Sequence, residues 1–196
     1  MFLHKIYDAS RIIALTGAEL KSPAYVKSYI GCNVADLLKN NIAGENNRIV
    51  SGDVLSGKQV DNDGFLGYRD DQITVIKEGN DYELFGWLLP QSPRPSLSGT
   101  FPNFLYPDHQ FTAETNTHGE KRAMVVTGQY EEVLPVDTYP QHLFKAILTN
   151  NIEKMEGLGI LELTEEDVAL CEFACTSKSP LQKILRDGLE IVKEQS

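Results

Sequence analysis

The sequence predicts an α+β protein, and three observations carry that reading. Short β-rich runs separated by turn residues fill the chain up to Leu89. A stretch rich in Pro, Ser and Gly, Pro90 to Pro107, then breaks the pattern. The last third places apolar residues at helical spacing. The expected organisation is a mixed unit over 1–89, an extended Pro-rich connecting segment over 90–137 and a helical unit over 138–196.

The elements follow in order. Arg11 to Leu20 opens with a β-rich run, and Lys21-Ser22-Pro23 is a turn because Pro cannot continue a central strand. Tyr25 to Ile30 alternates and reads as the second strand of a hairpin. Asn33 can cap a short helix over Val34 to Asn40, with Val34, Leu37 and Leu38 on one face. Arg48 to Val50 is a short strand. Gln72 to Lys77 is a clear one, and Tyr82 to Trp87 is expected to pair back on it. Met124 to Val126 reads as a further strand. Asp137 or Thr138 can cap a helix carrying Leu143, Ala146 and Ile147, with Pro140 in its first turn. Thr164 with Asp167 resembles a capping box for a helix reaching about Cys175. Ser179-Pro180 precedes the last helix, whose stripe is Leu181, Ile184, Leu185, Leu189 and Val192.

Composition excludes several functions. Eighteen basic residues stand against 28 acidic ones, a formal charge of −10. Such a surface repels phosphate backbones and anionic headgroups, so nucleic acid is not an expected partner. No run approaches the ~20 apolar residues of a membrane-spanning helix, so membrane association is expected only through a partner. Three cysteines, Cys32, Cys171 and Cys175, are too few for a disulfide scaffold and fit a reducing compartment.

Four patterns resemble chemical sites. Gly52, Gly57 and Lys58 have phosphate-loop spacing, but Gln59 stands where Ser or Thr should ligate magnesium, and turn residues follow where a helix is needed. Asp61, Asp63 and Gly64 suggest part of a calcium loop, yet its first ligand would be Gln59 and its distal one Asp70. Cys171 and Cys175 share a helix face but lack a second Cys pair or a nearby His, so buried structural thiols are expected and no metal. The most distinctive polar run is Thr115-Asn116-Thr117-His118-Gly119-Glu120-Lys121-Arg122. His118 could serve as a general base oriented by Glu114 or Glu120. No nucleophile motif accompanies it, so the expected role of Asn116, Thr117, His118, Gly119 and Arg122 is a loop held by side-chain bonds to backbone, with no catalytic residue.

At this loop a resemblance sets in. Thr115 to Gly119, Arg122 to Val125, Gly128 to Glu131 and Leu134 to Asp137 resemble the C-terminal segment of the NqrA family, a subunit family of the sodium-pumping NADH:quinone oxidoreductases. So does Leu158 to Cys171. Upstream, Arg11 to Leu20 with Pro23, Ile30-Gly31 and Arg48 to Gly52 resemble that family's soluble ligand-binding β-grasp domain. The resemblance implies a β-grasp-like first unit. It also implies a non-catalytic soluble part of a translocase at the cytoplasmic face of the bacterial inner membrane, peripheral through its partner subunits, with a role in assembly and interaction and a candidate share in the quinone-reduction step. The partners would be the other subunits of the complex, its membrane subunits above all, with ubiquinone a candidate ligand. NADH, flavins, iron centres and ubiquinone would be handled on other subunits, with no cofactor bound here. Family members carry a substantial region before this point, so Met1-Phe2-Leu3 reads as a start inside a longer protein. The complex I relative of the family holds an iron–sulfur cluster through closely spaced cysteines. A cluster needs four thiolates, and this chain has three cysteines in total. Phe101, Phe104, Tyr106 and Phe111 are the residues that could line a quinone pocket. Two rival readings are a free-standing β-grasp module that binds a small soluble ligand and a small hydrolase using His118.

Overall fold

The computed structural model describes residues 7–79, 81, 82, 86, 95 and 103–195. They divide into two compact units, Met1–Tyr82 with Gln110–Asn116, and Glu83–His109 with Thr117–Ser196. The architecture is mixed α and β, with a five-stranded sheet in the first unit and helices in the second.

In the sheet unit, β1 (Ser10–Thr16) and β2 (Ala24–Tyr29) form the expected antiparallel hairpin. Helix α1 (Val34–Leu38) follows, and Asn33 caps it by accepting from the backbone N–H of Ala35 at 2.9 Å and of Asp36 at 3.4 Å. Next come β3 (Asn47–Ser51), β4 (Lys58–Val60) and β5 (Gln72–Lys77), giving the sheet order β2-β1-β5-β3-β4. The central β1–β5 pair is parallel, with Ala14 opposite Gln72, and the other pairs are antiparallel. Because side chains alternate across a strand, Ile13, Leu15, Ile49, Ile73 and Val75 share one face. With Val34 and Leu38 of α1 they form this unit's core.

The helical unit comprises α2 (Pro140–Leu148), α3 (Ile152–Gly157), α4 (Ala169–Ala174) and α5 (Leu181–Gln195), with a 3₁₀ turn at Ile160–Glu162. The α5 stripe is buried as its spacing predicts, at Leu181, Ile184, Leu185 and Val192, with Leu189 half-buried. Gly188 lies in the same stripe, and a Cβ there would sit 2.9 Å from both Ile147 and Ile160 side chains. The glycine lets α5 approach α2 closely. The core centres on Tyr130, fully buried and edge-on to Phe144 with ring centroids 5.7 Å apart.

Several expectations fail at element ends. Strand β4 has no alternating signature; its pairing with β3 creates it. The N-cap of α2 is Tyr139, with no side-chain bond, rather than Asp137 or Thr138. Pro140 supplies the start by removing one of the N–H groups a cap would serve. Asp167 does accept from the Thr164 N–H and hydroxyl, both at 2.8 Å, but the segment stays a turn until Ala169. Met124 to Val126 is not a strand: Met124 packs on the helical core, while Val125 and Val126 are exposed. Of the strand expected over Tyr82 to Trp87, all but Tyr82 and Gly86 lie outside the described residues.

Candidate functional site

The polar run 115–122 is built from two sides, each within its own unit. On the sheet side, β3 presents Arg48, and the residue after β5 is Glu78. Arg48 donates to both Glu78 carboxylate oxygens, from Nε at 2.7 Å and Nη2 at 2.6 Å. That fork-to-fork geometry is the strongest an arginine can make. The Arg48 bonds hold the Glu78 carboxyl below its ordinary range; burial opposes them, and the bond from the Thr115 hydroxyl adds to the lowering. Thr115 donates its hydroxyl to Glu78 Oε1 at 2.8 Å and accepts there from the Gly79 N–H at 2.9 Å. The Thr115 N–H donates to the Lys77 carbonyl at 3.2 Å, and Glu114 bridges Lys77 in parallel, so residues 114–115 dock beside the end of β5. Asn116 Nδ2 donates to the Asp81 carbonyl at 2.8 Å. A Cβ at Gly79 would lie 2.6 Å from Asn116 Cβ, so only glycine admits this approach.

From Thr117 onward the chain is held by the helical unit. The Thr117 hydroxyl donates to the Gly119 carbonyl at 2.9 Å, closing a turn in which His118 has φ +49° and Gly119 φ +151°. Lys178 Nζ donates to the Thr117 carbonyl. The Arg122 N–H donates to the Ser177 carbonyl at 2.9 Å, and the buried Ser177 hydroxyl donates to the Ala123 carbonyl at 2.9 Å. The side-chain bonds of Thr115, Asn116 and Thr117 thus run to backbone groups and to one carboxylate. His118 is half-buried at the apex of a left-handed turn, a conformation uncommon for a residue with a Cβ. Sequence reasoning placed the loop but missed its partners. Arg48, Glu78, Ser177 and Lys178 lie far away along the chain, and Glu78 reads in sequence only as a turn residue.

The two loop motifs resolve into turns. After Gly52 (φ +97°) the chain turns and enters β4, with no helix behind it. The Asp53 carboxylate takes the backbone donors of this turn. Its Oδ1 accepts from the N–H of Leu55 at 2.7 Å and of Ser56 at 2.9 Å, and its Oδ2 accepts from the Ser56 hydroxyl at 2.6 Å. Partial burial raises the Asp53 pKa, but these bonds outweigh it and leave it lowered. In the second loop, Asp61 and Asp63 use their carbonyls. Asp61 accepts from the Gly64 N–H at 2.9 Å, and Asp63 from Asn33 Nδ2 at 3.1 Å. Asp70 accepts from the Ser51 hydroxyl at 2.5 Å, which itself accepts from the Gly67 N–H at 2.9 Å. Gln59 is a β4 residue.

The thiols of Cys171 and Cys175 are buried in the helical core, and Cys32 is half-buried in the sheet unit. The Tyr130 hydroxyl lies 3.1 Å from Cys175 Sγ, and Cys171 Sγ lies 3.8 Å from the Tyr130 carbonyl. Burial, with the nearby Glu131 charge, pushes the Cys171 thiol up to about 11. Burial and the Cys175 contact raise the Tyr130 phenol as well. Both groups are therefore neutral near pH 7, which suits packing and not nucleophilic attack. Among the described residues, no cluster of three or more His, Cys, Asp or Glu is arranged to hold a metal.

Of the aromatic residues considered for a quinone, Phe101 lies outside the described residues, and Phe104, Tyr106 and Phe111 are exposed. A groove of about 430 Å³ at α2 and α3 is lined by His142, Lys145, Ala146, Thr149, Lys154 and Leu158, and by none of those aromatics.

Comparison with known proteins gives the chain its relatives. Residues 12–62, spanning most of the sheet unit from β1 to β4, match the family model described as the NQRA C-terminal domain. The NqrA subunit of the Na(+)-translocating NADH-quinone reductase of Shewanella frigidimarina is 36% identical over 196 residues, covering 100% of this chain. The same subunit of Klebsiella pneumoniae is 37% identical over 196 residues, and that of Yersinia pestis 37% over 186. The chain spans 44% of the length of the first two relatives and 42% of the third.

Proposed function

We infer, from a sequence that corresponds along its whole length to the C-terminal portion of the NqrA subunit of the Na(+)-translocating NADH-quinone reductase, that the chain is a non-catalytic interaction part of such a complex. The whole-length match is the observation that carries this reading. In it, electrons pass from NADH to ubiquinone on other subunits, which also hold the flavins, the iron centres and the sodium path. The chain sits at the cytoplasmic face of the bacterial inner membrane, held by its partner subunits. That fits an acidic surface of charge −10 and the lack, among the described residues, of any helix long and apolar enough to cross a membrane.

The non-catalytic role draws support from the polar groups. The carboxylates of Glu78, Asp53 and Asp70 are engaged by neighbouring donors, and two thiols are buried. Three cysteines fall short of an iron–sulfur cluster's four thiolates. The sheet unit is read as a β-grasp. The order β2-β1-β5-β3-β4, the parallel central pair and a helix directly after the first hairpin support that assignment.

The test replaces the C-terminal portion of the Shewanella frigidimarina NqrA with this chain. Membranes from such cells are expected to keep sodium-dependent NADH:quinone reduction, and a tag on the chimera to recover the other subunits. A chimera that never joins the complex, while the chain alone retains a small soluble ligand, would overturn the reading in favour of the ligand-binding module. The loop has its own expected outcome. In the chimera, His118→Ala lowers the melting temperature and reduces turnover only in proportion to the chimera lost. A fully assembled but inactive His118→Ala complex would assign His118 a catalytic role.

A further inference from the structure

The sheet of the first unit is covered unevenly on its second face. Pairing sets Ala14 beside Gln72, and Thr74 beside Val50, so Ile12, Ala14, Thr16, Thr74, Ile76 and Val50 all point away from the core. On β5 and β3 this face is closed: Thr74, Ile76 and Val50 are 6%, 4% and 6% exposed. On β1 and β2 it is open. Ile12 is 65% exposed, Tyr25 82% and Tyr29 66%. The hairpin register sets Tyr25 beside Ala14, Lys27 beside Ile12 and Tyr29 beside Ser10, so these side chains form one continuous band along the sheet edge. Scattered exposed apolar residues need no explanation, but two tyrosines and an isoleucine in one contiguous band have the aromatic enrichment of an interface.

We propose that this outward band of β1 and β2 is a docking surface, and that its occupant is the part of the NqrA polypeptide that precedes the matched portion in the relatives. The proposal rests on the family reading above and says which surface that reading uses. Two observations select the occupant. The relatives share with this chain only their C-terminal 44%, so more than half of each lies ahead of the match. Polypeptide arriving from that direction reaches the fold beside the band: Ser10 pairs with Tyr29, and the Ile30 N–H donates to the Ala9 carbonyl at 3.0 Å. Tyr7, three residues ahead of β1, is itself 62% exposed. Two parts of one polypeptide meet at high local concentration, so contacts too weak to join separate molecules suffice between them. Tyrosine offers such a contact an apolar ring and a hydroxyl at small entropic cost. A second copy fits less well, because a symmetric contact would bring Lys27 against a patch that again carries Lys27.

Hydroxyl-radical labelling of tyrosines tests the proposal on this chain alone and on the chimera described above. Labelling of Tyr25 and Tyr29 is expected to fall severalfold in the chimera, with Tyr82 as the unaffected reference. Tyr25→Ser with Tyr29→Ser should leave the melting of the isolated chain unchanged and lower that of the chimera. Equal labelling in the two proteins overturns the proposal. So does a dimer of the isolated chain, seen by sedimentation, whose Tyr25 and Tyr29 are already protected. Protection in a purified chimera that fails to join the other subunits supports the docking surface while counting against the family role.

Discussion

The two units solve the same burial problem differently. In the helical unit, apolar residues from α2, α3, α4, the 3₁₀ turn and the segment around Tyr130 converge on one stripe of α5, leaving Leu181 and Leu185 without solvent contact. In the sheet unit the core lies on one face, under α1, while the β1–β2 end of the other face keeps two tyrosines and an isoleucine in water. A helix stripe is enclosed by packing neighbours around it, whereas a sheet has two faces and needs a layer on each. The contrast separates a region whose apolar surface is satisfied by its own chain from one suited to hold something else.

The sharpest way to break this contrast is to hollow out the helical core. Phe144→Ala removes a fully buried ring from Tyr130 and should cost about 3–5 kcal/mol. Amide exchange in α5 is expected to accelerate accordingly; unchanged protection there would mean that the core does not depend on its largest contact. The sheet unit has a backbone counterpart. Gly17 has φ +110°, and a Cβ there would lie 2.0 Å from the Val75 carbonyl oxygen. Gly17→Ala should cost about 1–3 kcal/mol from the conformation alone, with further loss as β5 shifts. Urea denaturation should report a lower midpoint.

A smaller effect tests the polar seam of the helical core. Cys175→Ala takes one partner from the buried Tyr130 hydroxyl and should cost about 1–3 kcal/mol. Cys175→Ser should recover part of it. Alkaline titration offers a second reading. The folded Cys171 thiol is pushed up to about 11 from an ordinary value of 9.0, so between those values the unfolded chain holds fewer protons. Stability should therefore fall as pH rises from about 9 to about 11, and Cys171→Ala should flatten part of that slope. The smallest expected change is Arg48→Met, which breaks the ion pair to Glu78. The pair is partly exposed, so a loss of about 0.2–1 kcal/mol is expected, reduced further by salt. Because the folded Glu78 pKa is lowered, the contribution of the pair is present above the ordinary carboxyl value and lost as pH falls through the folded one. An acid midpoint unmoved by Arg48→Met would show that the pair contributes nothing.

What the sequence revealed follows the range of the forces involved. Strand β1, the Asn33 cap, β5 and the α5 stripe were legible because each is written within a few residues as alternation, a capping side chain or helical spacing. Strand β4 was not, since Lys58-Gln59-Val60 becomes a strand only through its partner β3. The start of α2 was misassigned to Asp137 or Thr138 because a good capping residue is no cap unless its backbone is placed to cap. The 115–122 loop stood out in the sequence through its run of polar side chains. Its anchors were invisible, because Glu78 and Lys178 lie 37 and 61 residues from their loop partners. Tyr130 showed no periodic signal at all, although it lies at the centre of the helical core.

The parallel pairing of β1 with β5 also sets an order of events during folding. The bond from Thr16 to the Ile73 carbonyl joins residues 57 apart, so the middle of the sheet cannot assemble until nearly the whole unit has been synthesised. Before then only local pieces such as the β1–β2 hairpin can form, and an isolated hairpin is at best marginal in water. On the ribosome the first strand waits for its central neighbour, with Ile13 and Leu15 still wet. Closing that long loop is the slow, entropically costly step. Once β5 arrives, β1 and β3 each gain their second neighbour and the core can close between them. Residues 114–115, which leave the ribosome after every strand of the sheet, then have the end of β5 to dock against at Lys77.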